Sequence, residues 1–282
     1  PTFGGVGRDL GADMQKALNR AGRGTARRQG QQSGRSYSRN GPRAPEGRGG
    51  VTRAEVERCV LHIDAHVIVL NKPAGLAVHR GPKTPESLED WLPLLTFGFK
   101  RLPQPAHRLD RDTSGCLVLG RHPKAIRQLG GLFADRAVRK TYWAVVEGHL
   151  PVKEGVIEAP LRKISSKAAG WRMIAAADGD PAVTRYRVLG ESQRRSWVEL
   201  IPETGRTHQL RVHCATLGHP IAGDRQYGEG VTTGASLMLH AREITLHLGG
   251  SGQPIRVAAP PPPGMAEALK ACGWDGDDSP GA

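Results

Sequence analysis

The chain has 282 residues, 38% apolar and 24% charged, long enough to bury a real core in one large domain or two small ones. No stretch nears the roughly 18 apolar residues of a membrane span, no secretory-type apolar segment lies near the start, and Cys59, Cys116, Cys214 and Cys272 are scattered without a CxxC pair. That excludes a transmembrane helix, a disulfide scaffold and a zinc ribbon, and predicts a soluble cytoplasmic protein, while 40 Lys+Arg against 27 Asp+Glu, a net +13, favours a polyanionic partner.

The charge is uneven. Residues 1–50 hold ten Lys/Arg and three acids, and residues 19–50 are Gly, Arg, Ser and Gln with almost nothing to bury. This extension is expected to be disordered, with at best a frayed helix around Leu10, Met14, Ala17 and Leu18. A solubilising tail, an RNA-binding electrostatic arm and an Arg-rich transit peptide all fit it, though Asp9 and Asp13 weigh against the last. A folded region is expected over 51–263, followed by a short helix and acidic tail over 264–282.

Within it, Cys59–His62 and Val67–Leu70 are strand-like, with Asp64-Ala-His as a turn, and Asn71-Lys-Pro-Ala-Gly75 breaks the second strand. Ser87–Leu95 fits a short helix capped by Ser87, with Asp90 at its third position. Cys116–Gly120 is an apolar strand and Lys124–Arg136 a helix. Lys140–Glu147, Val183–Leu189 and Trp197–Pro202 alternate as strands. Leu210, Cys214 and Leu217 place a helix over Thr207–Leu217. Leu237–Leu239 and Ile244–Leu248 are strands, Pro260–Pro263 ends the strand region, and Met265–Cys272 is a helix. Short strands outnumber helices without regular β-α alternation, which predicts an α+β fold on a mixed, largely antiparallel sheet.

Several familiar sites are missing. There is no P-loop, since Gly81 is followed by Pro82, which has no amide to offer phosphate, and no Rossmann glycine pattern or nucleophile elbow. His208, His213 and Cys214 are not spaced to share a helix face as metal ligands, and Asp178 and Asp180 lack the calcium-loop pattern. A hydrolase built on Ser114 and His107 would lack its elbow. What remains is His107-Arg-Leu-Asp110-Arg-Asp-Thr-Ser-Gly115 running into an apolar strand. Arg108 and Arg111 flank Asp110 and favour its ionised form, as a carboxylate nucleophile or base requires, while Thr113 and Ser114 suit a tight turn. A salt-bridged turn and an active site both fit. A second polar segment, Glu203-Thr-Gly-Arg206-Thr-His-Gln-Leu-Arg211-Val-His213 followed by Gly218–Gly228, adds guanidinium, imidazole and amide groups around glycines.

Together with Leu239-His-Ala241, Asn71-Lys-Pro-Ala-Gly-Leu76 and Arg139-Lys-Thr-Tyr142-Trp-Ala144, these segments resemble, in order, the motifs of the RluA-type RNA pseudouridine synthases. The resemblance runs from about Val60 to Val257. It implies the pseudouridine synthase fold with an RNA-binding cleft, and isomerisation of uridines in structured RNA by a monomer without metal or organic cofactor; the basic arm, suited to a large, highly charged substrate, favours rRNA over tRNA. The resemblance implies Asp110 as the catalytic aspartate, Tyr142 as the residue against the target base that is linked to C5 proton removal, and Arg206 as the basic partner of the aspartate. Arg108 would help displace the target base, and Leu239 would wall the pocket. His107, Arg111, Thr113 and Arg211 complete the substrate-binding set, His107 reading more simply as a structural hydrogen-bonding residue. Asp112 is demoted because the family aspartate directly follows Arg-Leu. Lys72 is a turn or phosphate contact, Trp143 and Trp197 belong to the core, and Cys116 and Cys214 are buried small side chains.

Two departures stand out. Gly120 replaces a more usual alanine, and the low-complexity arm stands where many relatives carry an S4-like RNA-binding domain. A non-catalytic RNA-binding protein on the same fold is the alternative reading, and it leaves the set of Asp110, Tyr142 and Arg206 without a purpose. If the arm is an electrostatic one, deleting residues 1–50 weakens RNA binding and flattens its salt dependence with little effect on melting. An unchanged salt slope would make it a passive tail.

Overall fold

The computed structural model describes residues 51–81, 84, 86–166, 170–228, 236–249 and 253–276. The expectations for the basic extension and the last residues of the acidic tail lie outside them. The described chain runs α1 (Arg53–Arg58), β1 (Val60–Ile63), β2 (Val67–Lys72), two 3-10 turns, β3 (Gln104–Pro105), β4 (Ser114–Gly120), α2 (Pro123–Ala134) and β5 (Arg139–Glu147). It continues through β6 (Glu154–Glu158), β7 (Leu161–Ser166), β8 (Gly170–Ala175), β9 (Val183–Glu191), β10 (Arg195–Pro202), α3 (Gln209–Thr216), β11 (Leu239–Leu246), β12 (Ile255–Ala258) and α4 (Pro263–Ala271).

One large sheet has the order β1-β2-β4-β11-β5-β10-β9-β6, with β12 on β11 and β3 on β4, and β7-β8 form a separate hairpin. Among the described residues every pairing of these strands is antiparallel except β4 with β11. This is the α+β, largely antiparallel fold expected of the sequence. The strands at its centre, β4 and most of β2, are buried on both faces, which is why they read as continuous apolar runs. The parallel contact is close. Gly115 sits at φ 106°, and a Cβ there would fall 2.3 Å from the Ala241 carbonyl oxygen, so only glycine lets β4 pass β11 at the start of the strand. Gly120, the departure noted above, has a packing cause: a Cβ would lie 2.6 Å from Ile126 Cδ1 on α2.

The main core lies around β2, β4 and β11, and a second cluster packs α3 against β5 and β10 through Leu210, Cys214, Val198 and Leu200. α4 covers the opposite side of β5, where Trp197 and Trp274 surround Trp143 at 4.9 and 5.8 Å between ring centres, so Trp143 and Trp197 are packing residues.

Two expected elements differ. The helix over Ser87–Leu95 is a pair of 3-10 turns, Leu88–Asp90 and Leu92–Leu95, because Pro93 has no amide to continue an α-helical ladder. The separate strands at 237–239 and 244–248 are one strand, β11, with an irregularity between His240 and Glu243. His240 and Arg242 break its apolar pattern, yet both are buried and both donate to the Ala259 carbonyl.

Candidate active site

The loop from Ala106 to Thr113 joins β3 to β4 and carries Asp110 to the wall of a cavity of about 460 Å³. The loop is tied at both ends. His107 Nε2 accepts the Val118 amide at 3.0 Å, and its ring stacks on Phe133 at 4.5 Å. Burial and the nearby Lys140 push His107 down to about 3, so it stays neutral and acts as a tether. At the other end the Thr113 amide donates to the Asp110 carbonyl at 3.2 Å. Ser114 Oγ meets His240 Nδ1 at 2.8 Å, which carries the turn across to β11. Beneath the loop, the fully buried Lys72 directs Nζ at the carbonyls of Pro73, Leu76 and Arg111, at 2.8, 2.8 and 3.0 Å. Burial pushes its ammonium down to about 7 against the pull of Asp112 and Asp110. Lys72 is thus a brace under the Asp110 turn, with no surface left for phosphate.

The charge partner of Asp110 is not the one expected. Arg206 lines the cavity, but its guanidinium turns to Asp180 (3.6 Å) and to the Pro181 carbonyl (3.2 Å). The guanidinium beside Asp110 is that of Arg211, with Nη1 3.9 Å from Oδ2. The reason lies in α3. Arg211 is buried in the first turn of the helix, and Asp224 takes its Nε and Nη2 in a forked pair at 2.7 Å each, which leaves Nη1 facing Asp110. Asp224 also accepts the Gln226 and Tyr227 amides at 3.0 and 3.1 Å. Burial works against both charges. The Arg211 hydrogen bonds nevertheless hold the Asp224 carboxyl below its usual range, and Asp224 in turn raises Arg211.

A second group near Asp110 escaped the sequence reading. His208 Nε2 lies 3.8 Å from Asp110 Oδ2, and Nδ1 meets Tyr227 Oη at 2.8 Å. The Tyr227 oxygen already accepts the Met173 amide at 3.1 Å, so its own proton serves His208 Nδ1. This network assigns the proton of neutral His208 to Nε2, on the Asp110 side. Burial lowers the His208 pKa, with Asp110 acting in the opposite direction. The residue is held at φ 53°, an uncommon backbone region for a side chain of this size. That strain is the signal sequence cannot carry.

Of the other candidates, Arg108, Thr113, Tyr142 and Leu239 also line the cavity. Tyr142 projects from β5, and burial together with the Asp110 charge pushes its hydroxyl well above the ordinary phenol range. Arg111 does not join them. It is exposed and its Nε donates to the Gly75 carbonyl at 3.0 Å, which pins the turn from outside the cavity. Gln209 and His213 are framework residues. Gln209 bonds Thr204, Thr184, Val183 and the Arg206 amide, and His213 spans Thr184 and the Ala159 carbonyl. The cavity thus sets the Asp110 carboxylate and one neutral phenol among the cations Arg108, Arg136, Lys140, Arg206 and Arg211; the second carboxylate of its lining, Glu203, is paired with Arg185 at 2.5 Å.

Residues 66–216 match the family model described as RNA pseudouridylate synthase. The chain is 50% identical over 189 residues to an uncharacterized RNA pseudouridine synthase of Zymomonas mobilis, covering 66% of this chain and 86% of that one. It is 36% identical over 223 residues to ribosomal large subunit pseudouridine synthase C of Escherichia coli, covering 76% and 68%. Among solved structures, human RNA pseudouridylate synthase domain containing 4 superposes with a TM-score of 0.66 at 27% identity, over 78% of this chain and 95% of that one.

The buried pair makes a prediction about stability. Asp224→Asn leaves the Arg211 guanidinium without its counter-charge and is expected to cost about 3–5 kcal/mol in denaturant unfolding. The Asp224 contribution has a defined pH sign. Its folded pKa is depressed, so the stabilisation is present above the unfolded value near 3.8 and is lost as pH falls through and below it. The variant should therefore show a shallower acid limb than the wild type. Equal stability of the two proteins at pH 7 would show that the pair is not the anchor of α3.

Proposed function

The chain belongs to the RNA pseudouridylate synthase family, of the RluA type, and from that premise we propose that it isomerises specific uridines of large-subunit ribosomal RNA with Asp110 as the catalytic carboxylate. Enzymes of this family convert uridine in RNA to pseudouridine. The N1–C1′ bond breaks, a C5–C1′ bond forms, the C5 proton leaves and N1 gains one. The observation that carries the assignment to Asp110 is its place on the cavity wall, beside a guanidinium that Asp224 holds rigidly in place. A fixed, partly desolvated positive charge faces the carboxylate and needs no rearrangement to act on it. The ribosomal part of the reading is supported by the name of the Escherichia coli relative and by the basic cavity rim.

In this reading the target uridine leaves its stack and enters the cavity, and Arg108, exposed at the mouth, occupies the vacated space. Tyr142 lies against the base. Its raised pKa keeps it a neutral phenol at pH 7, so it takes the C5 proton only in step with passing its own to Asp110. Arg211 is the electrostatic partner of Asp110. Arg206, on the rim, contacts the RNA backbone. The enzyme works as a monomer in the cytoplasm, and residues 1–50 are an accessory electrostatic arm.

Tritium release from C5-labelled rRNA transcript tests these roles. Wild type is expected to release tritium, and Asp110→Asn to bind the RNA but release none. Arg211→Met should lower the rate at saturating enzyme by about 100-fold, the scale of losing one aligned electrostatic partner. Arg206→Met should mainly weaken binding. Release by Asp110→Asn, or a rate governed by Arg206 instead of Arg211, would overturn the assignments.

A further inference from the structure

The hairpin β7–β8 stands apart from the main sheet and takes no part in the chemistry above. Its strands carry Arg162, Lys163 and Arg172 and no carboxylate, and most of their side chains face solvent. Arg162 is engaged by Asp178 at 2.8 Å. In the same strands Trp171 leaves 42% of its surface open. An indole so exposed adds little to the core, and leaving it in water is unfavourable.

Its position is nevertheless fixed from below. Gln226 Nε2 donates to the Trp171 carbonyl at 3.0 Å, and Tyr227 Oη accepts the amide of Met173, which is buried with Leu161, Ala182 and Val212. Gln226 and Tyr227 belong to the segment that Asp224 anchors, so the hairpin and Arg211 share one support. The Trp171 ring lies 5.0 Å from the His208 ring at 34°, and His208 in turn lies 3.8 Å from Asp110. One imidazole therefore separates the exposed indole from the catalytic carboxylate. Lys163 places its ammonium 4.9 Å from the indole centre, and its side chain is itself exposed.

We propose that Trp171 is a stacking platform for an unpaired nucleobase of the RNA, next to the nucleotide flipped into the Asp110 cavity. This deepens the reading above and rests on it. A base over the indole displaces the flexible Lys163 ammonium, which then meets the phosphate of the same nucleotide. Stacking on an aromatic face tolerates any base but requires that the base be free of its helix. The platform thus selects uridines whose neighbour is also unpaired, in loops and bulges, over uridines in continuous duplex.

The test compares the full-length wild type with Trp171→Ala and Trp171→Phe. Each is titrated against a fluorescein-labelled RNA stem-loop with a uridine-containing loop and against a fully paired RNA duplex of equal length. Melting curves confirm that the variants fold, as expected for so exposed a side chain. Trp171→Ala should lose at least about fivefold in stem-loop affinity, Trp171→Phe should stay within about twofold, and duplex affinity should move less than about twofold in both. Unchanged stem-loop binding by Trp171→Ala overturns the proposal. So does an equal loss on both RNAs, or a wild type that does not prefer the stem-loop. Tritium release by the wild type is read in parallel: its absence refutes the enzymatic reading whatever the binding shows, and its presence with Trp171-independent binding refutes the platform alone.

Discussion

The geometry of the site depends on one buried ion pair. Arg211 and Asp224 are almost wholly removed from water, and their forked hydrogen bonds offset a large desolvation cost more than they add net stability. What the pair supplies is position. Asp224 gathers the amides of Gln226 and Tyr227, Tyr227 orients His208, and Gln226 holds the backbone of Trp171. Asp110 joins the same network by meeting the nitrogen of Arg211 that Asp224 leaves free. One carboxylate thereby sets a guanidinium, an imidazole and a hairpin around another.

The remaining polar residues of the motifs serve the backbone. Lys72 braces the Asp110 turn from beneath, Arg111 and His107 tie it from the sides, and Ser114 joins it to His240 on β11. Gln209 does the same for the loop that carries Arg206 and His208. The close passage of β4 and β11 at Gly115 brings these anchored loops together at one end of the sheet. Rigid support of this kind is what a preorganised electrostatic site requires.

Much of the fold was legible in the sequence where packing is one-sided or wholly apolar. β2, β4, β5 and β10 and the helices α2 to α4 fall where periodicity places them, within a few residues at their ends. β11 reads as two segments because its buried polar residues find partners that only the folded chain supplies, and the hairpin β7–β8 is illegible because its exposed strands carry no apolar stripe. In the site, motif order picks out Asp110 and Tyr142, which line the cavity, and pairs Asp110 with Arg206, whereas the guanidinium that faces Asp110 is that of Arg211. Arg206 and Arg211 are five positions apart and chemically identical, and the choice between them is made by Asp224, thirteen residues further along. The positions of His208 and Trp171 are illegible for a related reason: they come from a backbone in the left-handed region and from a contact between separate elements.

The claim that Asp224 acts on catalysis through Arg211 is tested most directly by a double-mutant cycle in single-turnover pseudouridine formation, measured on folded protein at saturating enzyme. Asp224→Asn and Arg211→Met should each slow the reaction, and adding Asp224→Asn to the Arg211→Met background should change the rate by less than about twofold. Losses that multiply instead would mean that Asp224 and Arg211 contribute independently, and that the buried pair does not set the charge beside Asp110.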